Sequence, residues 1–342
     1  MGCGASVAPI SSTVDYDVEC NLLMVKQADL QKDLTGKVAV VTGATGGLGL
    51  ATAQQLVRQG CAVYMCGRNQ TLLDEKIQEI EAESAKGKAI PIALELGDLS
   101  SVRAAAKDIQ SSTDRVHFLV NNAGVALSEK KMTKDGFEMM IGVCHFGHFL
   151  FTELLTPCLS NAAPARVVNV SSYVHYKFPS KRTQIDLDDL HYSKRKFNAM
   201  AALGQAKLAN VLHAVEYNRR NKDKGIIAVS LHPGHVDTGF SRHVMGPTTK
   251  KLLAPVLNRC CSINTTQGAQ TSLYCVLSDK IPECAGMYFS AANSPGGLVG
   301  TMYKTQAQQA GGWPMDEIPN EAARDSELCS RFYDMSLKAV GL

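Results

Sequence analysis

VVTGATGGLG, residues 40–49, is the most informative segment of this 342-residue chain. It joins a continuous apolar run, typical of a strand buried on both faces, to a segment whose apolar residues have helical spacing. Gly43, Gly47 and Gly49 lie in the turn between them, where glycine lets the backbone bend tightly and approach a pyrophosphate. The helix that follows offers backbone N–H donors and the positive end of its dipole at its first turn. The segment therefore predicts a dinucleotide-binding strand–turn–helix unit.

Apolar runs and helix-like segments alternate along the rest of the chain. The strand-like runs are KVAVVTG, CAVYMCG, AIPIALEL, VHFLVNNAG, ARVVNVSS, GIIAVSLHPG and GMYF. Strands separated by helices indicate right-handed βαβ crossovers, which build a parallel sheet covered on both faces. We therefore predict an α/β fold with a doubly wound parallel sheet of Rossmann type, about seven strands and helices on both faces. One domain is predicted over residues 34–342, preceded by an N-terminal arm of residues 1–33.

Composition and charge narrow the class of protein. The chain is 45% hydrophobic and 20% charged, as in ordinary globular domains, and its formal net charge of +3 is too small to indicate a nucleic-acid partner. Its 11 cysteines form no CxxC pair and no cysteine–histidine array at zinc spacing, so we predict reduced thiols, no metal site and a cytoplasmic location. No uninterrupted apolar run approaches the ~18 residues of a membrane-spanning helix, and no secretory signal is found.

The first six residues, MGCGAS, match the pattern of N-myristoylated proteins. Gly2 would carry the myristoyl group once the initiator Met is removed, and Cys3 would accept the palmitoyl group that stable anchoring requires. The alternative is a small-residue N-terminus that matches a short pattern by chance. The sequence thus predicts a cytoplasmic protein and leaves open whether acylation anchors it to a membrane surface.

Further motifs follow the glycine-rich turn in a fixed order. GDL ends at residue 99, NNAG covers 121–124, VNVSS covers 168–172, and HPGHVDTGF covers 232–240. Together with the TGxxxGxG spacing of the turn, this order resembles the short-chain dehydrogenase/reductase family along most of the chain. CHFGHF, KLANVL, GAQTSLYCVL and GMYFS are similar to the branch that includes the retinol dehydrogenases.

The resemblance implies a nicotinamide cofactor bound at the ends of the strands. The implied cofactor-binding residues are Gly43, Thr45, Gly47, Leu48, Gly49, Arg68, Asp98, Leu99, Asn122, Ala123, Gly124, Lys207, Val236 and Thr238. The second strand ends in YMCGRN, which lacks the carboxylate that would bind the ribose 2′-hydroxyl of NAD. Arg68 can instead pair with a 2′-phosphate through its planar guanidinium, so the predicted cofactor is NADP(H). The alternative is that Arg68 is a solvated turn residue.

The resemblance also implies a proton relay of Ser, Tyr, Lys and Asn beside the nicotinamide. Ser172 and Lys207 occupy the Ser and Lys positions and are the implied catalytic residues. Leu203 stands four residues before Lys207, where the family has Tyr, and Cys144 in GVCHFGHF stands where it has Asn. A hydrocarbon side chain can neither donate nor accept a proton, and losing a positioned general acid costs about 10²–10⁴-fold in rate. A thiol is a poor hydrogen-bond donor and lacks the geometry of an amide.

Three other tyrosines are candidates for the missing proton donor. YSKRK places Tyr192 four residues before Lys196, which formally matches the YxxxK spacing of the family, but it precedes the helix that carries KLANVL. Tyr173 and Tyr176 follow Ser172 closely and could point into the same site. The alternative for all three is a tyrosine on a surface loop.

Two functions are compatible with these residues. The first is NADP(H)-dependent oxidation or reduction of a lipophilic alcohol or carbonyl compound, retinoid- or steroid-like, beneath a lid formed by residues 240–257. The second is a catalytically impaired pseudoenzyme without a small-molecule substrate, which acts as an NADP-binding scaffold or sensor at a membrane. Members of the family often form homodimers through two long helices, here near residues 136–157 and 200–218, so a homodimer is a further expectation.

Overall fold

Seven parallel strands form the sheet at the centre of the molecule. The computed structural model describes residues 25–83, 86–176, 182–234, 236, 264–290 and 320–342. The strands are β1 (Val38–Thr42), β2 (Ala62–Gly67), β3 (Lys88–Ala93), β4 (Phe118–Asn121), β5 (Ala165–Val170), β6 (Ile226–His232) and β7 (Tyr288–Ser290). They form one sheet in the order β3–β2–β1–β4–β5–β6–β7, and every neighbouring pair is parallel. The predicted doubly wound parallel sheet is confirmed.

Helices connect the strands and cover both faces of the sheet. They are α1 (Gln27–Leu30), α2 (Gly47–Arg58), α3 (Gln70–Ala82), α4 (Leu99–Ser112), α5 (Met139–Ile141), a π-helical turn (Gly142–Gly147), α6 (His148–Asn161), α7 (Ala199–Asn221), α8 (Thr265–Leu277) and α9 (Ser326–Ala339). Asparagine side chains begin three of them: Asn69 before α3, Asn198 before α7 and Asn264 before α8 each accept a hydrogen bond from a backbone N–H of the first turn. Such caps satisfy donors that have no partner within the helix.

Alternate residues of the strands point into two separate apolar cores. Val40 of β1 belongs to the core that includes α4, α6, α7 and α9, whereas its neighbours Ala39 and Val41 belong to the core that includes α2, α3 and α8. Val167 and Val168 of β5 divide in the same way. This alternation is the period of two of a β-strand, so a strand covered on both faces has an uninterrupted apolar sequence.

Helix α5, the π-helical turn and α6 form one continuous apolar helical run. Met139–Asn161 spans 23 residues and is apolar enough to cross a membrane by length and composition alone. The most apolar window of this run is 83% buried inside the fold, where it packs against the sheet and α4. Its apolar character is therefore explained by its place in the core.

The part of the N-terminal arm that the structure describes packs on the domain. Val25 and Leu30 are buried in the core beside α8. The Lys32 ammonium donates to the Leu277 carbonyl oxygen at 2.8 Å and pairs with Asp279 at the same distance, which ties the arm to the end of α8. Gly2 and Cys3, the predicted acylation sites, lie outside the described residues, as do Thr238 and the whole of the predicted lid, residues 240–257.

Helix α9 lies in the groove between α6 and α7. Phe332 stacks on His145 with ring centroids 4.6 Å apart, and the Tyr333 hydroxyl donates to the Glu153 carboxylate. The Arg220 guanidinium of α7 lies 4.2 Å from the centre of the Tyr333 ring and pairs with Asp334 at 2.7 Å. A homodimer through the two long helices would therefore have to form around α9 or displace it.

Candidate active site

The predicted site residues converge on the carboxyl edge of the sheet, where β1 and β4 are neighbours and the direction of winding reverses. Ligands bind in the crevice outside this edge in open α/β sheets. The loops that follow the strands bring the predicted residues there: Gly43–Gly49 after β1, Arg68 after β2, Asp98 after β3, Asn122, Ala123 and Gly124 after β4, Ser172 after β5, and Val236 after β6. Residues nearly 200 positions apart in the sequence thus share one edge.

The turn after β1 accepts only glycine at three positions. Gly43 and Gly47 have φ values of +66° and +56°, a left-handed conformation that favours glycine. A Cβ atom at Gly49 would lie 2.4 Å from the Gly43 carbonyl oxygen and 2.5 Å from the Asn122 amide nitrogen. These residues therefore form a tight backbone cradle at the N-terminus of α2, which fits the pyrophosphate of a dinucleotide.

Leu48 and Val236 meet beside this cradle. At Gly268 of α8, a Cβ atom would lie 2.5 Å from Val236 Cγ2 and 2.6 Å from Leu48 Cδ2. The small residue lets α8 approach both side chains. The structure thus joins two predicted cofactor-binding residues that are almost 190 positions apart in the sequence.

Arg68 directly follows the carboxyl end of β2, and 69% of its side chain is exposed. Its guanidinium is 3.5 Å from the Glu95 carboxylate, which is itself 42% exposed. Because solvent screens such a pair, it restrains Arg68 only weakly. The guanidinium is thus accessible to an anionic ligand at the carboxyl edge.

Asp98 caps α4 and is held as a carboxylate. It accepts hydrogen bonds from the Ser100 backbone N–H at 2.9 Å and from the Lys134 ammonium at 2.6 Å. The Lys134 bond, with the Ser100 bonds, lowers the pKa of Asp98 to about 2. Asp98 and Leu99 therefore begin α4 at the same edge as the glycine cradle, with the Asp98 carboxylate already engaged in a structural role.

The positions of the proton relay lie just beyond β5, on α7 and in the π-helical turn. Ser172 is the second residue after the end of β5 and is half-buried. Lys207 is only 4% exposed, and its ammonium donates to the Val170 carbonyl oxygen at 3.0 Å. Leu203 lies one helical turn earlier on the same face of α7, is 5% exposed, and belongs to the apolar core. A side chain that cannot carry a proton therefore lies one turn before Lys207.

Cys144 lies within the π-helical turn Gly142–Gly147 and is fully buried. Its thiol contacts the Val125 carbonyl oxygen at 3.8 Å, which is a weak sulfur hydrogen bond. π-Helical turns are rare and often mark functional sites. The π-helical turn is present although Cys144 stands where the family resemblance implies an asparagine amide.

The three candidate tyrosines have different surroundings. Tyr192 has a φ of +53°, packs edge-on against Phe197 and lies 4.3 Å beneath the Arg195 guanidinium. Burial raises the pKa of Tyr192 to about 12, which is opposite to what a proton donor near neutral pH requires. Tyr173 and Tyr176 are half-buried and lie edge to face, with ring centroids 6.0 Å apart, in the turn that follows Ser172.

Sequence reasoning did not single out Thr42 as a site residue. Its hydroxyl oxygen lies 2.9 Å from the backbone nitrogens of Asn122 and Ala123 and 2.8 Å from His148 Nε2. The Asn122 side-chain amide donates to the Thr42 carbonyl oxygen at 2.8 Å. Thr42 therefore connects the glycine cradle to the NNAG loop, and the only signal in the sequence is its place directly before Gly43.

Comparison with known proteins agrees with this geometry. The family model of the short chain dehydrogenases matches residues 37–182. Retinol dehydrogenase 12 of Mus musculus is 38% identical over 258 residues, which are 75% of this chain and 78% of that protein. Retinol dehydrogenase 13 of Homo sapiens is 33% identical over 312 residues, which are 90% of this chain and 86% of that protein.

Solved structures share the fold. An uncharacterized protein from Mycobacterium paratuberculosis superimposes with a TM-score of 0.67 at 27% identity, covering 91% of this chain and 96% of the other. L-Sorbose reductase from Gluconobacter frateurii, complexed with NADPH and L-sorbose, has a TM-score of 0.61 at 16% identity and covers 76% of this chain and 96% of its own.

The fold, the glycine cradle and these relatives place the chain in the short-chain dehydrogenase/reductase family. Within it, the similarity is to the retinol dehydrogenase-like branch, so the protein is an oxidoreductase of the short-chain dehydrogenase type with a nicotinamide-cofactor site.

Proposed function

We propose that this protein binds NADP(H) and transfers protons poorly, so that it acts chiefly as a cofactor-binding pseudoenzyme of its family. The observation that carries the proposal is buried Leu203, one helical turn before Lys207. A bound nicotinamide supplies hydride transfer, and the substrate oxygen must gain or lose a proton as the hydride moves. With leucine and Cys144 at two relay positions, the expected loss in rate is about 10²–10⁴-fold.

The choice of NADP(H) over NAD(H) is supported by Arg68. This residue follows β2, where a carboxylate would bind the 2′-hydroxyl of NAD. Its exposed guanidinium, held only by a weak pair with Glu95, can form paired hydrogen bonds with a 2′-phosphate. Lys207, whose role in the family resemblance includes the nicotinamide ribose, would serve binding even without proton transfer.

A second candidate is a working oxidoreductase that acts on a lipophilic alcohol or carbonyl compound. Tyr173 and Tyr176 favour it, because both are half-buried and lie within four residues after Ser172. The named retinol dehydrogenases suggest a retinoid-like substrate class. In this case one of the two phenols would replace the missing proton donor.

Restoring the relay distinguishes the two candidates. The full chain is purified, NADPH binding is measured by fluorescence, and turnover is assayed with retinoids, steroids and quinones. Leu203→Tyr combined with Cys144→Asn should raise turnover at least about 10²-fold, whereas Leu203→Phe, which lacks the hydroxyl, should not. The second candidate is supported if the wild type turns over substrate, the double variant is no faster, and Tyr173→Phe or Tyr176→Phe abolishes the activity. Lack of NADPH binding contradicts both.

Acylation at Gly2 and Cys3 would bring either activity to a membrane surface. A myristoyl chain alone binds membranes only reversibly, and a second acyl chain on Cys3 makes the anchor stable. Gly2→Ala should therefore move the protein from the membrane fraction to the soluble fraction. An unchanged distribution would refute acylation without touching the cofactor proposal.

A further inference from the structure

Four polar groups surround the Thr42 hydroxyl, and the hydroxyl can bond them only if each hydrogen bond has a particular direction. It lies 2.9 Å from both the Asn122 and the Ala123 backbone nitrogens, 2.8 Å from His148 Nε2 and 3.4 Å from the Val120 carbonyl oxygen. Thr42 is fully buried, so water cannot replace a missing partner. A threonine hydroxyl offers one hydrogen and two lone pairs.

The one hydrogen and two lone pairs of the Thr42 hydroxyl determine the direction of each hydrogen bond. The two backbone N–H groups can only donate, so both direct their hydrogens at the lone pairs of the Thr42 oxygen, and the Asn122 N–H is shared with the Val120 carbonyl oxygen at 3.0 Å. The single hydroxyl hydrogen then goes to His148 Nε2 at 2.8 Å in preference to the Val120 carbonyl oxygen at 3.4 Å. Nε2 of His148 must therefore be unprotonated.

The other nitrogen of the ring completes the assignment. Nδ1 of His148 lies 3.1 Å from the Cys144 carbonyl oxygen, which can only accept. Nδ1 therefore carries the proton and donates it to this carbonyl, within the π-helical turn. Burial lowers the pKa of His148 to about 4, which agrees with a neutral ring at neutral pH.

We propose that His148 is a positioning residue for the cofactor site. Through Thr42 it holds the NNAG loop at Asn122 and Ala123, and through the Cys144 carbonyl it holds the π-helical turn. Neither the glycine cradle nor the relay positions include this residue. The inference deepens the proposed NADP(H)-binding function and rests on it for its effect on affinity, although the hydrogen bonds themselves are a property of the protein alone.

Variants of two buried histidines test the proposal. His148→Phe keeps a planar ring but removes both hydrogen bonds, and we expect the dissociation constant for NADPH to rise about fivefold to tenfold. His148→Gln, which retains a donor and an acceptor, should recover much of the affinity. His213→Phe is the matched control, because His213 is equally buried on α7 and, within the part of the chain that the structure describes, its ring bonds Asn169 and makes no hydrogen bond with Thr42.

Two measurements on the protein without cofactor separate this inference from the function it rests on. Nitrogen-15 shifts of the His148 ring in the full chain should show the Nδ1–H form, and amide hydrogen exchange at Asn122 and Ala123 should be faster in His148→Phe. These results support the inference even if NADPH does not bind.

Three outcomes overturn the inference. They are a proton on Nε2, a folded His148→Phe protein that binds NADPH like the wild type, and an equal loss of affinity in His213→Phe. If His148→Phe does not fold, the ring tautomer and the affinity of His148→Gln decide the question.

Discussion

The Ser171 hydroxyl donates a 2.7 Å hydrogen bond to the backbone carbonyl oxygen of Lys207. The Lys207 ammonium donates a 3.0 Å hydrogen bond to the Val170 carbonyl oxygen, so the end of β5 and the middle of α7 each donate a hydrogen bond to the other. Leu203 lies one turn before this junction. The hydrogen bonds that hold α7 against the sheet are therefore complete, although leucine stands at the position from which a proton donor would act.

Ser171→Ala should lower the free energy of unfolding by about 1 kcal/mol, because it removes a buried hydrogen bond between α7 and β5. Denaturant unfolding measures the change. Ser172→Ala is the matched comparison: Ser172 is half-buried, so we expect a smaller change in stability and a loss of any residual turnover. Equal stability of the Ser171→Ala protein and the wild type would contradict the structural role of Ser171.

Gly49→Ala should abolish measurable NADPH binding. The new Cβ would lie 2.4 Å from the Gly43 carbonyl oxygen, so the cradle must open to accept it. Gly46→Ala is the control in the same turn, because Gly46 is extended and a Cβ there has no neighbour within 4 Å among the described residues. Titration by fluorescence of bound NADPH provides the measurement, and similar affinities for the two variants would show that the cradle is not the binding site.

Arg68→Ala should weaken NADP(H) binding about tenfold or more and leave NAD(H) binding unchanged, because only the 2′-phosphate pairs with the guanidinium. Dissociation constants for both cofactors measure the ratio. Arg58→Ala, which removes a half-buried arginine of α2 that pairs with Glu83, should change neither constant. If the wild type binds NAD(H) as tightly as NADP(H), the assignment of the cofactor fails.

The protein should lose stability as the pH falls from 6.5 towards 4. Burial lowers the pKa of His148 and His175 to about 4 and that of His213 to about 3, whereas an exposed histidine has a pKa of ~6.5. Between these values the unfolded chain binds more protons than the folded chain, so the stabilising contribution is complete above pH 6.5 and decreases below it. For one such histidine the loss between pH 6.5 and 5 is about 2 kcal/mol.

Thermal unfolding at pH 5.0 to 7.5 measures this dependence. The midpoint should fall towards low pH, and it should fall less steeply in His213→Phe, which removes one of these titrating groups. A midpoint that does not change over this range would show that these rings are not buried as neutral groups.

Tyr333→Ala should destabilise the protein by about 3–5 kcal/mol, the usual cost of removing a buried aromatic side chain. The ring is buried between Phe149 and Arg220, and its hydroxyl bonds Glu153.

Because α9 fills the groove between α6 and α7, we also expect sedimentation of the wild type at the monomer mass of 36.8 kDa. A dimer whose formation protects the amides of α6 and α7 would contradict that expectation.

Local sequence was sufficient to predict the sheet and the loops at its carboxyl edge. The glycine turn after β1, the NNAG loop after β4 and Ser172 after β5 are each recognisable from a few consecutive residues, because a parallel strand buried on both faces has a continuous apolar sequence. Parallel strands then place every such loop at the same edge. The substitution at Leu203 was visible for the same reason, since Lys207 is only one helical turn away.

Tertiary structure alone decided which distant side chains meet. Thr42 and His148 are 106 positions apart, and their hydrogen bond depends on how α6 packs against β1. The burial of Tyr192 and the docking of α9 over α6 and α7 likewise depend on contacts that no local pattern encodes. Short-range spacing determines helices, strands and turns, whereas the partners of a buried polar group are set by the packing of elements that come together only in the folded chain.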